Sequence, residues 1–337
     1  MKKLFALFAA LSVLTAAFAQ EELTDEEETF RTELKIIPRL DLAPSFATSD
    51  QSENYFGLQN TGLYTEFSHN FTDNLSFSML NLWVNETPGD LYRNTFHSDA
   101  LSWMAYCKLT YAPGNWEFSL GKDYLIVGGF ENDPSDYDFF FESNSPLVYN
   151  MPITQWGAQA FWTNNSENTS LGLQIMSSPF SVRPFEDGLL SINAAWYGDF
   201  GPLSTIWSVG AIGVEKGHYM YLVSLGQRLS FDKWSVTLDW SNTCYPFGEY
   251  GNRFLLEFRG NCTSWMDVVA GAHYTAPLKK QWDGELFNVL GAYGRFEFFP
   301  LRDSRNLRLH LSTAWNKYDE AVCTNLGVTY CFDFKWK

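Results

Sequence analysis

The sequence predicts an all-β fold: a transmembrane, antiparallel, up-and-down β-barrel of sixteen strands with a long third outer loop folded inward. Three observations predict it. Leu326, Val328, Tyr330, Phe332, Phe334 and Trp336 alternate with Gly327, Thr329, Cys331, Asp333 and Lys335, so the chain ends in a strand with one greasy aromatic face and one polar face, as a closing barrel strand does. Alternating segments of roughly 8 to 13 residues recur before it, a length that suits tilted strands crossing a bilayer. Turn-rich short connections alternate with longer ones, the asymmetry of a barrel whose two ends face different compartments.

The chain starts with an export leader. Lys2 and Lys3 precede an apolar run from Leu4 to Ala16, and Ala17-Phe18-Ala19 supplies a small-x-small cleavage site, which together read as a signal peptide over 1–19. That run is shorter than the ~18 to 20 residues needed to span a bilayer as a helix. Residues 20–32 hold six acids against Arg31 with no periodicity, the composition of a solvated acidic extension. From 33 to 337 no Pro/Gly/Ser-rich linker divides the chain, so the barrel is expected as one domain.

The strands are expected at 33–43, 61–71, 75–84, 100–111, 115–122, 154–163, 169–177, 189–198, 202–214, 218–230, 234–243, 252–260, 265–276, 287–299, 305–316 and 324–336. The alternation is plain in Leu101, Trp103, Ala105, Cys107, Leu109 and Tyr111, in Trp234, Val236, Leu238 and Trp240, and in Leu307, Leu309 and Leu311. It is poorest at 75–84 and 202–214. Every second connection, at 72–74, 112–114, 164–168, 199–201, 231–233, 261–264 and 300–304, is short and rich in Asn, Asp, Gly and Pro, which are turn formers. An even strand count then puts both barrel ends on the periplasmic side. Phe67, Phe71, Tyr111, Trp116, Phe161, Trp162, Phe231, Trp234, Phe298 and Phe299 gather near these turns and would form the inner interfacial girdle.

Composition agrees with a lipid face set against a wet lumen. Aromatic residues make up 18% of the chain and hydrophobic residues 45%, yet mean hydropathy is −0.21, so apolar side chains must alternate with polar ones. The net charge of −16 argues against nucleic acid as a partner. Cys107, Cys244, Cys262, Cys323 and Cys331 are odd in number and lack metal-ligand spacing. Cys244 and Cys323 are expected in outer loops, where they could pair in an oxidising compartment.

The connection 123–153 is the longest, thirty-one residues holding Asp123, Glu131, Asp133, Asp136, Asp138 and Glu142 and no base. A connection of that length inside a compact domain usually has a job. Its aromatics, Phe130, Tyr137, Phe139, Phe140, Phe141 and Tyr149, would be costly to leave in water and could bury against the inner wall if the loop folds in and narrows the bore. The alternation assigns to the lumen Lys35, Arg39, Asp41, Tyr64, Glu66, Lys108, Glu117, Arg228, Asp239, Arg253, Glu257, Arg259, His273, Tyr293, Arg295, Glu297, Arg308, His310, Asp333 and Lys335. A dry core would not hold that many charges, whereas a water-filled pore keeps them solvated and lets them set the field felt by a passing ion.

Lys108, Arg228, Arg259, Arg295, Arg308 and Lys335 fall near the inner strand ends, while the outer connections are acidic. Such a profile attracts cations at the mouth without excluding small anions. Arg253, Glu257 and Arg259, or Arg295 and Glu297, could equally pair across strands and stiffen the wall. Glu131, Asp133, Asp136 and Asp138 lack the glycine and distal glutamate of an EF-hand loop, so no metal site and no cofactor are expected. The five histidines are scattered and no G-x-S-x-G motif occurs; the chain does not read as an enzyme.

Ser119-Leu120-Gly121-Lys122 leading into Gly128-Gly129-Phe130-Glu131, then Gln155-Trp156-Gly157 and the terminal aromatic strand, resemble the sixteen-stranded Gram-negative outer-membrane porins related to the phosphate-selective porins O and P. The resemblance implies a homotrimeric diffusion channel whose third outer loop, here Asp123 to Ile153, folds in as the constriction. Two departures stand out. The loop carries acids where phosphate-selective members carry bases, so general or cation-leaning permeation is expected; and Lys337 follows the terminal Trp336.

The expectation is therefore an outer-membrane porin of a Gram-negative bacterium. It would sit in outer-membrane lipid and pass small hydrophilic solutes and ions by passive diffusion. The other reading is a non-channel outer-membrane barrel that acts as a binding or surface-interaction protein, or as a membrane enzyme.

Overall fold

The computed structural model describes residues 31–49, 54–58, 61–84, 104–132, 153–181, 183–244, 251–276, 289–301, 304–317 and 320–337. Its segments in chain order are β1 Thr32–Ala47, β2 Tyr55–Gly57, β3 Gly62–Thr72, β4 Leu75–Val84, β5 Met104–Tyr111, β6 Trp116–Tyr124, β7 Thr154–Thr163, β8 Thr169–Ser177, β9 Leu190–Phe200, β10 Leu203–Glu215, β11 His218–Ser230, β12 Trp234–Cys244, β13 Asn252–Thr263, β14 Met266–Ala276, β15 Val289–Phe298, β16 Leu307–Asn316, β17 Ala321–Tyr330 and β18 Phe332–Trp336. β2 is a three-residue continuation of the first hairpin, paired with Ala43, Pro44 and Ser45. β17 and β18 are one strand interrupted at Cys331, since both pair with β1 in a single register, from Ala47↔Ala321 to Thr32↔Trp336. The result is sixteen crossings.

Each crossing pairs antiparallel with the next, and β1 pairs with β3 on one side and with β17 and β18 on the other, so the sheet closes on itself. Closure leaves no strand edge with unpaired N–H and C=O groups. In hydrocarbon each such group would cost several kcal/mol, which is why a sheet of this kind can stand in a membrane only as a ring.

The two faces differ as the alternation predicts. Leu40 and Leu42 on β1, Leu171, Leu173 and Ile175 on β8, Phe254, Leu256 and Phe258 on β13, and Leu309 and Leu311 on β16 are all exposed on the outside. Between them, Arg39, Asp41, Gln174, Arg253, Glu257, Arg308 and His310 are buried on the inside. Apolar out and charged in is the reverse of a soluble protein and the pattern of a lipid-embedded barrel. The protein is an outer-membrane β-barrel.

Aromatic side chains cluster outward at the short-turn end. Trp116 stacks with Phe118 at 5.8 Å between ring centroids, Trp234 with Phe258 at 4.8 Å, Trp265 with Phe298 at 6.2 Å and Phe334 with Trp336 at 6.2 Å. Such a belt suits the headgroup region, where an aromatic ring can be half wet.

Several expectations need correction. Phe161 is not in the girdle: it pairs with Glu117 and Gly172 on the lumenal face, while its neighbour Trp162 pairs with Trp116 outside. Phe299 is buried beside Arg305, whose guanidinium lies 3.8 Å from its ring. Cys323 lies within β17, not in an outer loop; its Sγ is 3.4 Å from Ser45 Oγ, and it forms no disulfide with Cys244, the last residue of β12. The first strand extends four residues past 43 because it continues to pair with β2 and β17. The leader at 1–19 and most of the extension at 20–32 lie outside the described residues; Arg31 already accepts from Asn70 N and donates to Trp336 O.

Candidate permeation path and its inward loop

The loop after β6 enters the lumen, and the sequence there explains how. Gly121 has φ 142°, a conformation that a side chain rarely adopts, and any Cβ on it would collide with the Cys107 carbonyl. The last lumenal residue of β6 is Asp123, whose carboxylate accepts from Lys108 Nζ at 2.7 Å and Gln159 Nε2 at 2.7 Å. Asp123 thus belongs to the strand and the wall, not to the constriction loop to which its position at the loop boundary assigned it.

From Tyr124 onward the chain is held by the side-chain amide of Gln174 on β8, which is itself fixed by Gln159 of β7 and Asn193 of β9. Gln174 Nε2 donates to Tyr124 O at 2.7 Å and to Gln159 Oε1 at 3.0 Å, and Gln174 Oε1 accepts from Ile126 N at 3.2 Å and Asn193 Nδ2 at 3.1 Å. Each amide uses both of its ends, so the polar groups of an otherwise orphaned loop backbone are met inside the barrel. Leu125 and Val127 then pack with Met176 of β8, Ile212 of β10 and Met220 and Leu222 of β11, an apolar cluster on what is elsewhere a polar lumenal face.

The segment continues along the wall to the far side. Ser208 Oγ donates to Gly128 O at 2.9 Å. Gly128, at φ 87°, and Gly129, where a Cβ would run into the Asp239 carboxylate, let the backbone lie against β12. Glu131 N donates to Asp239 Oδ2 at 2.9 Å, the Arg228 guanidinium stands 4.1 Å from the Phe130 ring, and Glu131 forms a buried ion pair with Arg253 of β13. Residues 130–132 form one turn of 3-10 helix. From β6 to β13, the described part of the loop occupies the bore. Asp133, Asp136, Asp138 and Glu142 lie outside the described residues.

The remaining wall residues named from the sequence all face the lumen, and most meet an opposite charge. Arg39 and Asp41 pair at 2.6 Å, with His310 Nε2 3.1 Å from the same carboxylate. Glu66 accepts from Lys35 Nζ at 3.2 Å and from Tyr106 OH at 2.9 Å. Glu257 accepts from Arg259 Nε at 2.5 Å and Tyr293 OH at 2.6 Å. Glu297 lies 3.3 Å from Arg295 Nε and 3.4 Å from Arg308 Nη1, and Asp333 lies 3.3 Å from Lys335 Nζ. Arg259 and Arg295 thus pair with Glu257 and Glu297 along their own strands and not across them, Arg308 reaches Glu297 from the neighbouring strand, and Arg253 pairs with Glu131 of the loop. Glu117 differs: its one hydrogen-bond contact among the described residues is Ser119 Oγ at 3.4 Å, and no base stands within ion-pair distance.

The sequence reading missed the amide ladder Gln159, Gln174 and Asn193 and the hydroxyl of Ser208. A signal was present: the alternation fails over 202–214 because Ile206 and Ile212 face inward, and over 75–84 because Leu80 and Leu82 do, packed near Tyr106 and Tyr124. Apolar residues on a lumenal face mark where something lies against it. Among the described residues no group of three or more His, Cys, Asp and Glu is placed to hold a metal ion.

No protein-family model matches the sequence, and no curated protein matches it either. Solved structures do match in shape. The outer membrane channel DcaP of Acinetobacter baumannii aligns with a TM-score of 0.60 at 12% identity, covering 92% of this chain and 99% of that one. OmpT, an outer-membrane protein of Vibrio cholerae, aligns at 0.59 with 10% identity over 92% and 100%. OccK1 of Pseudomonas aeruginosa aligns at 0.55 with 10% identity over 91% and 100%. At such identities the likeness is one of fold, that of a closed sixteen-stranded antiparallel β-barrel.

Proposed function

We propose that this protein is an outer-membrane porin, in which small hydrophilic solutes and ions diffuse passively through a water-filled barrel narrowed by the loop that begins after β6. The observation that carries the proposal is the course of Leu125–Asn132, which leaves the wall at β6 and is anchored by hydrogen bonds, apolar packing and an ion pair as far as β13. A loop anchored at that many points inside a lumen sets the width of the bore. Charged walls on either side keep the bore wet and fix its field.

One neighbour in fold, DcaP of Acinetobacter baumannii, is described as an outer membrane channel, which supports diffusion as the activity. One structure of the Vibrio cholerae OmpT is described as a trimer form, in keeping with a homotrimer here. Kinship with the phosphate-selective porins rests on the Ser119–Lys122 and Gly128–Glu131 stretches, whose glycines shape the loop entry. Selectivity follows from the pairing: Asp123 and Glu131 are neutralised by Lys108 and Arg253, so a cation preference must come from Asp133, Asp136, Asp138 and Glu142. Single-channel recording in a planar bilayer tests the proposal. Discrete conductance steps support it; a folded protein that passes no current is a non-channel barrel with a binding, surface or enzymatic role.

A further inference from the structure

One stretch of the lumenal wall is built unlike the rest. On a single hydrogen-bonded row, Glu117 of β6 sits opposite Phe161 of β7, Phe161 opposite Gly172 of β8, Gly172 opposite Ala195 of β9, and Ala195 opposite Ser208 of β10. Tyr197, two residues on from Ala195, faces the lumen as well, and its ring centroid is 6.0 Å from that of Phe161 with the planes tilted by 52°. The Phe161 ring lies over Gly172, where a Cβ would meet Cε1, Cδ1 and Cζ. Both rings are half-buried, and so is Glu117.

Three features set this patch apart. Phe161 and Tyr197 face a water-filled bore where the inner positions elsewhere carry mostly charged or polar groups. Gly172 and Ala195 carry little bulk, so the Phe161 ring lies down over Gly172 and packs against Tyr197, and the two rings together turn an aromatic surface to the bore. Glu117 stands beside Phe161 on the row, and among the described residues no base is within ion-pair distance of it. Along the wall, Lys108 is committed to Asp123 and Arg228 to Thr237 and the Phe130 ring. The row runs on to Ser208, which holds Gly128 of the inward loop, so the patch and the loop share one stretch of wall.

We propose that the lumenal patch formed by the Phe161–Tyr197 ring pair and Glu117 is a binding subsite for organic cations, amines or quaternary ammonium groups that carry apolar carbon. Two aromatic faces attract a weakly hydrated cation through their quadrupoles, and a carboxylate at the edge supplies the opposite charge. Inorganic cations, which hold their water more tightly, gain little from the rings. The proposal goes beyond passive diffusion and rests on the lumenal placement of the three residues.

The test uses the purified full-length barrel in detergent and benzyltrimethylammonium as the probe, with binding measured calorimetrically and conductance recorded separately on the same preparation. The wild-type protein is expected to bind the probe in the millimolar range or better, at least tenfold more tightly than it binds benzyl alcohol, the uncharged ring. Glu117→Gln and Phe161→Leu, each checked for folding by its heat-dependent gel mobility, are expected to weaken binding tenfold or more. No binding by the folded wild-type protein overturns the subsite, and so does equal binding by both variants, which would put the probe elsewhere. Because binding is measured without current, a barrel that conducts and does not bind fails only the subsite, while one that binds and does not conduct fails only the channel.

Discussion

Replacement of Gly327 would be felt where the ring closes. The residue lies on β17 between His310 of β16 and Asp41 of β1, and a Cβ there would collide with the Asp41 carboxylate and the His310 ring. Asp41 is 0% exposed and Arg39 4% exposed, so their bidentate contact, with His310 alongside, joins the first strand to the last two where the ring closes. A buried charge deprived of its partner costs about 3 to 5 kcal/mol. Gly327→Val is therefore expected to lower barrel stability by about 2 to 4 kcal/mol through overpacking and loss of that contact, read as a lower temperature of unfolding on a gel run without boiling. Glu131→Gln acts at the loop instead. It leaves Arg253 unneutralised in the bore, and reversal potentials in a salt gradient should move toward anion preference; an unchanged potential would mean that Arg253 does not face the permeant ions.

At the scale of the element, the strands were largely legible and the loop was legible only in part. The segments at 75–84, 154–163, 169–177 and 218–230 match the observed strands residue for residue, because a period of two is imposed on every strand that has lipid on one side and water on the other. The same rule placed all the named wall charges on the lumenal face. It failed for Phe161, where an aromatic beside a turn was read as girdle although its parity with Glu117 puts it inside. It was also weak where Leu80, Leu82, Ile206 and Ile212 point inward, since a contact with the loop or with facing tyrosines is non-local and leaves no periodic trace. The length and aromatic content of 123–153 indicated an inward fold, whereas the anchors Gln174, Asn193 and Ser208 are ordinary polar strand residues until the loop is seen against them. Leu125→Ala combined with Val127→Ala should weaken loop docking by about 2 to 5 kcal/mol. Single-channel conductance should then rise and become noisier with the unfolding temperature unchanged. Gly121→Val is expected to do worse, because it forces a side chain into φ 142° against the Cys107 carbonyl; little or no folded barrel should be recovered.

For the whole molecule, one physical demand organises the rest. A sheet in hydrocarbon must close, closure makes an inside, and the inside of a sixteen-stranded ring is wide enough to hold water. The chain fills part of that space with its own loop and lines the remainder with charges that are mostly paired, so what passes is decided by width first and by field second. Trimer assembly belongs to this scale too: crosslinking in outer membranes should yield a species of three chains. The central claim, that the loop narrows an open bore, is tested most directly by single-channel conductance of the wild-type barrel beside the Leu125→Ala, Val127→Ala variant. A stable open step in the wild type and a larger one in the variant are the predicted result; no conductance from the folded wild type, or identical steps in both proteins, would contradict it.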